Sequence, residues 1–144
     1  MTRIRIELPT HFSFCISIPI RITDINYGGH VGNDRILMLL HEARMKYLLH
    51  HGLNEMDLNG VGLIMSDVGI EFKKELFYGD EVLVFVTSNS FLKVSFDIIY
   101  KIEKKSGAQN MIVASAKTGM VCYDYSNKKV AVIPDFVREK LSGR

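Results

Sequence analysis

Apolar side chains recur along this chain with two different periods, and the switch between them comes early. Residues 12–22, FSFCISIPIRI, alternate in part between apolar and small polar side chains, which predicts a strand. Pro19 has no N–H to give to a ladder, so it places that strand at a sheet edge or marks a bulge. The stretch Thr23–Asp34, TDINYGGHVGND, then breaks the pattern, with three glycines, two asparagines, two aspartates and a histidine in twelve positions. Helix formers dominate the next segment, DRILMLLHEARMKYLLHHG, from Asp34 to Gly52. Asn33 or Asp34 is suited to cap its start, and Gly52 to stop it. At about 100° per residue, Ile36, Leu40, Ala43 and Tyr47 form one stripe. Leu37, Met38, Met45, Leu48 and Leu49 spread over much of the remaining surface, so the helix is expected to be enclosed.

From there the period falls to two. GVGLIMSDVGIEFKK and DEVLVFVTSNS read as strands joined by the turn-like link ELFYGD. FLKVSFDIIYKIE alternates at Val94, Phe96, Ile98 and Tyr100, and KKSG turns the chain into NMIVASAKTGMVCYD. A short helix, PDFVREKL, follows, with Pro134 at a position that suits a helix start. The order is strand, enclosed helix, then four strands in antiparallel succession. An antiparallel sheet around one central helix is an α+β arrangement that buries such a helix. No repeat, low-complexity tract or linker divides residues 1–144, so one domain is expected.

Composition narrows the function classes. The 144 residues are 47% hydrophobic and 24% charged, ordinary for a globular protein. A formal net charge of +2 without a dense Lys/Arg cluster argues against a nucleic-acid partner, but suits an anionic small molecule. No apolar run reaches the roughly 20 residues of a membrane span, and Ser13, Ser17 and Pro19 interrupt any signal-peptide core. A soluble, cytoplasmic protein with no membrane partner is the expectation. Cys15 and Cys122 match neither zinc nor redox spacing and read as small buried hydrophobes. No His/Cys/Asp/Glu set has metal-ligand spacing, and no G-x-S-x-G, P-loop or Rossmann glycine pattern occurs.

The glycine-rich stretch carries a family likeness. Asp24-Ile25-Asn26-Tyr27-Gly28-Gly29-His30-Val31-Gly32-Asn33, with Glu42-Ala43-Arg44 on the helix, resembles the hotdog-fold acyl-CoA thioesterases related to 4-hydroxybenzoyl-CoA thioesterase. Tyr78–Val82 resembles the family's link between its second and third strands, and Val132–Pro134 its C-terminal close. The resemblance implies a hotdog fold, an acyl-CoA substrate with no separate cofactor, and a homodimer or homotetramer with sites between subunits. It also exposes a departure. Many of these enzymes carry a catalytic aspartate at the loop's second acidic position, where this chain has Asn26. An amide can orient water but cannot take a proton as a general base.

Several residues therefore have two readings. Gly28, Gly29 and Gly32 serve either a turn needing positive φ or a close approach of backbone N–H groups to a thioester carbonyl. In the second reading Val31 and Asn33 complete that oxyanion loop at the positive end of the helix dipole. His30 is either a loop-holding side chain or a base that positions water with Asn26. Glu42 is a surface partner of Lys46, an anchor for the loop or Arg44, or a buried acid–base group. Asp24 is read first as loop-fixing and second as a base. Lys73 and Lys74, at a strand end, are candidates for coenzyme A phosphates, against the default of solvated lysines. Asp67 is expected to face solvent, and His50 and His51 to meet the helix dipole. Two rivals to a thioesterase remain open: a dehydratase or hydratase pairing His30 with Glu42, and a non-catalytic acyl-thioester binder.

Overall fold

The computed structural model describes residues 1–143. Strand β1 (Phe14–Pro19) leads through a 3-10 turn at Ile22–Asp24 to helix α1 (Asn33–His50). Strands β2 (Gly62–Phe72), β3 (Glu81–Asn89), β4 (Ser95–Ser106) and β5 (Gln109–Asp124) follow, then a short β6 (Lys129–Val130) and helix α2 (Asp135–Leu141). The sheet is antiparallel and its order is β1-β3-β4-β5-β2, with β6 added to β5. Pro19 lies at the end of an edge strand, as its missing donor requires.

The strand succession expected from the sequence is corrected here. β2 does not pair with β3; it pairs with β5, at the edge farthest from β1. The link that reads as a turn is a packed crossing. It leaves β2 with the N–H groups of Lys73 and Lys74 on the Val113 carbonyl, and its Leu76 is only 1% exposed. A residue buried that deeply pulls the link into the core, so it cannot close a hairpin.

Alternation then decides which side chains meet α1. Val82, Val84 and Val86 of β3 point inward beside Phe96, Ile98, Tyr100 and Ile102 of β4, with Val84 opposite Ile102 and Val86 opposite Tyr100. They receive the predicted stripe of α1, since Ile36, Leu40, Ala43 and Tyr47 are all buried. The helix is not enclosed on most sides, however. Met38 and Leu49 are exposed on an open face that they share with Glu42 and Lys46. The helix-start expectation also changes: Gly32 is the N-cap, and neither Asn33 nor Asp34 caps. A Cβ on Gly32 would lie 2.6 Å from Asp34 Oδ1, so the Asp34 side chain occupies the space that any larger residue would need.

Arg44 carries a charge into the core. Arg44 donates through Nε to Glu55 Oε1 at 2.6 Å and through Nη1 to the Tyr100 hydroxyl at 3.1 Å. The Tyr100 hydroxyl lies 2.7 Å from Thr118 Oγ1, which completes a satisfied buried network. The cysteines separate. Cys122 is buried, and burial pushes its thiol up to about 11. Cys15 corrects the expectation: it is exposed, because β1 turns Phe14, Ile16 and Ile18 toward the core and Cys15 and Ser17 outward. The segment before β1 crosses the outer face of the sheet, with the Ile6 N–H on Glu71 Oε1 at 3.2 Å and Phe12 tilted on Phe85.

Candidate active site

The loop before α1 is held by its own backbone. Asn26 N–H donates to the His30 carbonyl at 2.9 Å, Gly29 N–H to the Asn26 carbonyl at 3.1 Å, and Gly28 N–H to Asn26 Oδ1 at 2.9 Å. The Asn26 side chain thus forms an Asx-type turn, and Gly29 takes the positive φ of 82° that this turn needs. Val31 N–H donates to the Leu76 carbonyl at 2.8 Å, which fastens the loop to the β2–β3 link.

These bonds sort the candidate oxyanion donors. The N–H groups of Gly28, Gly29 and Val31 are used inside the fold. The Gly32 N–H faces the Asp24 carbonyl across the Ile25–Val31 bridge. Among the described residues, the N–H groups of Asn33 and Asp34 have no hydrogen-bond partner, as expected at a helix start without a side-chain cap. They sit at the positive end of the α1 dipole.

A cleft of about 540 Å³ opens beside them. His30, Val31, Asn33 and Ile36 form its helix side, and Phe72, Leu76 and Phe77 its apolar opposite wall. Lys73, Lys74, Glu75 and Lys104 add charge to that lining. His30 Nδ1 lies 3.0 Å from the Val31 carbonyl. A carbonyl only accepts, so Nδ1 carries the hydrogen and Nε2 of the neutral ring keeps a free lone pair. Glu75 Oε1 lies 4.0 Å from that Nε2. Lys73 is 3.4 Å from Glu71 and Lys104 is 3.6 Å from Asp80. Lys74 forms no ion pair among the described residues.

Asp24 and Glu42 lie elsewhere. Both line a second cleft of about 570 Å³ between β1 and α1, with Arg21, Arg35, Met38 and Lys46. Asp24 is 4% exposed and accepts the Arg21 N–H at 2.9 Å, which stabilises the 3-10 turn. Glu42 is exposed and pairs with neither Lys46 nor Arg44, whose carboxylate partner is Glu55. Asp67 faces solvent as expected, yet it binds Lys117 at 2.8 Å and the Gly119 N–H at 3.0 Å across a bulge in β2.

Sequence reasoning missed Glu75, Phe72, Phe77 and Lys104. Their shared signal was faint: all but Lys104 belong to the end of β2 or the link after it. Among the described residues no group of three His, Cys, Asp or Glu could hold a metal ion, and no helix is long and apolar enough to cross a membrane.

A sheet packed over one long helix, with a polar glycine loop and free N–H groups at the helix start, defines a hotdog-fold protein. The chain belongs to the Thioesterase-like superfamily, whose family pattern matches residues 20–141. It is 29% identical over 125 residues to a 1,4-dihydroxy-2-naphthoyl-CoA hydrolase of Microcystis aeruginosa, an alignment covering 85% of this chain and 88% of that one. The structure of a 1,4-dihydroxy-2-naphthoyl-CoA thioesterase from Synechocystis superposes with a TM-score of 0.79 at 24% identity, covering 89% of this chain and 94% of that one. An aspartate-to-asparagine mutant of 4-hydroxybenzoyl-CoA thioesterase, solved with 4-hydroxybenzoyl-CoA, superposes with a TM-score of 0.80 at 18% identity over 90% of this chain and 98% of that one.

Proposed function

We propose that this protein is an acyl-CoA thioesterase that hydrolyses an acyl thioester to a free acid and coenzyme A. The observation that carries the reading is the set of free N–H groups at the start of α1, opening on the cleft that holds His30. Donors placed there stabilise the oxyanion of a tetrahedral intermediate, and losing one costs on the order of 10²–10³ in rate. The family and the activities of the relatives support the same chemistry. Ile36 on the helix side and Phe72 and Phe77 opposite give the acyl group an apolar lining, and Lys73 and Lys74 in the same cleft are the candidates for coenzyme A phosphates.

His30 is the base in this reading. Asn26 cannot take a proton, Asp24 is committed to its turn, and Glu42 opens on the other cleft. His30 and Glu42 line different clefts of one chain, so the pairing on which a dehydratase would rest is not formed within a subunit. The working unit is a homodimer formed through β2. That edge strand exposes Ile64, Met65, Val68 and Phe72 beside unpaired backbone groups, a template for a second copy. Two unpaired cysteines, one of them exposed, suit a reducing, cytoplasmic setting.

Thiol release from a panel of acyl-CoAs, with wild type, Asn26→Asp and His30→Ala side by side, tests the reading. Wild type is expected to turn over, and His30→Ala to lose about 10²–10⁴ in kcat. A silent wild type alongside an active Asn26→Asp would make the natural protein an acyl-thioester binder.

A further inference from the structure

One carboxylate faces His30, and no motif announces it. Glu75 follows Lys74 in the β2–β3 link, and its neighbour Leu76 accepts the Val31 N–H at 2.8 Å. That bond ties the residue after His30 to the residue after Glu75, so the two side chains start from a shared anchor. The Glu75 carbonyl is held in turn by Lys104 Nζ at 3.2 Å. Among the described residues, His30 is the only ion-pair partner of the Glu75 carboxylate, whereas Lys73 and Lys104 are paired to Glu71 and Asp80. The 4.0 Å between His30 Nε2 and Glu75 Oε1 is too long for a direct hydrogen bond. It suits one water molecule bonded to both at about 2.8 Å each.

We propose that Glu75 is the carboxylate of this active site, a positioning residue that holds the hydrolytic water against His30. The inference rests on the thioesterase reading above and supplies what Asn26 cannot. Water donates one hydrogen to Glu75 and the other to Nε2 of neutral His30. As its oxygen bonds to the thioester carbonyl carbon, the second proton passes to Nε2, and the oxyanion accepts from the free N–H groups at the start of α1. The C–S bond then breaks with its electron pair going to sulfur. The thiolate takes the proton from Nε2, leaving a carboxylic acid, a coenzyme A thiol and neutral His30. Glu75 neither gives nor takes a proton in the cycle, and it faces the imidazolium on its Nε2 side while that exists.

Steady-state thiol release is measured on the full chain for wild type, Glu75→Gln, Glu75→Asp, His30→Gln and the Glu75→Gln/His30→Gln double variant. Glu75→Gln is expected to lower kcat by about tenfold or more with KM within about twofold. Glu75→Asp recovers part of that loss, and the double variant is scarcely slower than His30→Gln alone. The Glu75 side chain is 64% exposed, so the fold tolerates these changes and matching melting curves establish it. An active wild type with Glu75→Gln at wild-type kcat, or with a loss confined to KM, overturns the role of Glu75 and leaves the hydrolase reading standing. A wild type silent on every acyl-CoA overturns both.

Discussion

Asn26 shows how one residue's chemistry redirects a site. Its Oδ1 accepts the Gly28 N–H and its carbonyl the Gly29 N–H, so the position has a turn-forming role although its amide cannot act as a base. Asn26→Asp preserves both contacts in principle, and the variant is expected to fold with a melting temperature close to wild type. Arg44 works by different physics. Its guanidinium is 7% exposed and spans Glu55 and Tyr100, so removing it leaves a carboxylate and a hydroxyl without their donor. Arg44→Ala is expected to cost about 3 kcal/mol, read as a lower midpoint in urea. An unchanged midpoint would mean that water replaces the guanidinium freely.

At the scale of elements, α1 is stabilised from one side. Leu40 is fully buried under β3 and β4, and Leu40→Ala is expected to lose about 2–5 kcal/mol, whereas the exposed Met38 tolerates alanine within about 0.5 kcal/mol. Chemical denaturation of the two variants separates these cases. The far end of α1 is expected to respond to pH. Burial, then the neighbouring charges of His50 and Lys140, hold the His51 pKa below its ordinary value. The folded state therefore favours neutral His51. Its contribution is fully present above about pH 6.5 and declines as pH falls toward the lower folded value. Thermal unfolding of His51→Gln is expected to lose less stability than wild type between pH 7.5 and pH 5.5, conditions chosen to bracket about 6.5. Parallel curves would show that His51 is not the group responsible. The helix itself was legible in the sequence, since the Ile36, Leu40, Ala43 and Tyr47 stripe is the buried one. Its open face was not, because periodicity reports which residues are apolar but not how far a sheet reaches around them.

At the scale of the whole molecule, the sheet order and the proposed dimer belong together. Placing β2 at the edge opposite β1 leaves its Met65 and Val68 exposed, each 41%. Val68→Lys is expected to give a monomer by light scattering while retaining its circular dichroism. A wild type already monomeric at micromolar concentration would remove the dimer. The same crossing that sends β2 outward carries Glu75 and Leu76 past the start of α1, so the edge and the cleft share one cause.

The sequence alone determined what is local. Alternation marked the strands, the apolar stripe marked the helix, and Thr23–Asp34 marked the loop, because each is written within a few residues of itself. Tertiary structure decided the rest: that β2 pairs with β5, that Asp24 and Glu42 open on a different cleft from His30, and that Glu75 meets His30 across 45 positions of sequence. Those relations depend on where a buried Leu76 draws the chain. A link's path through a core is set by the packing of every element around it, and no local pattern encodes it.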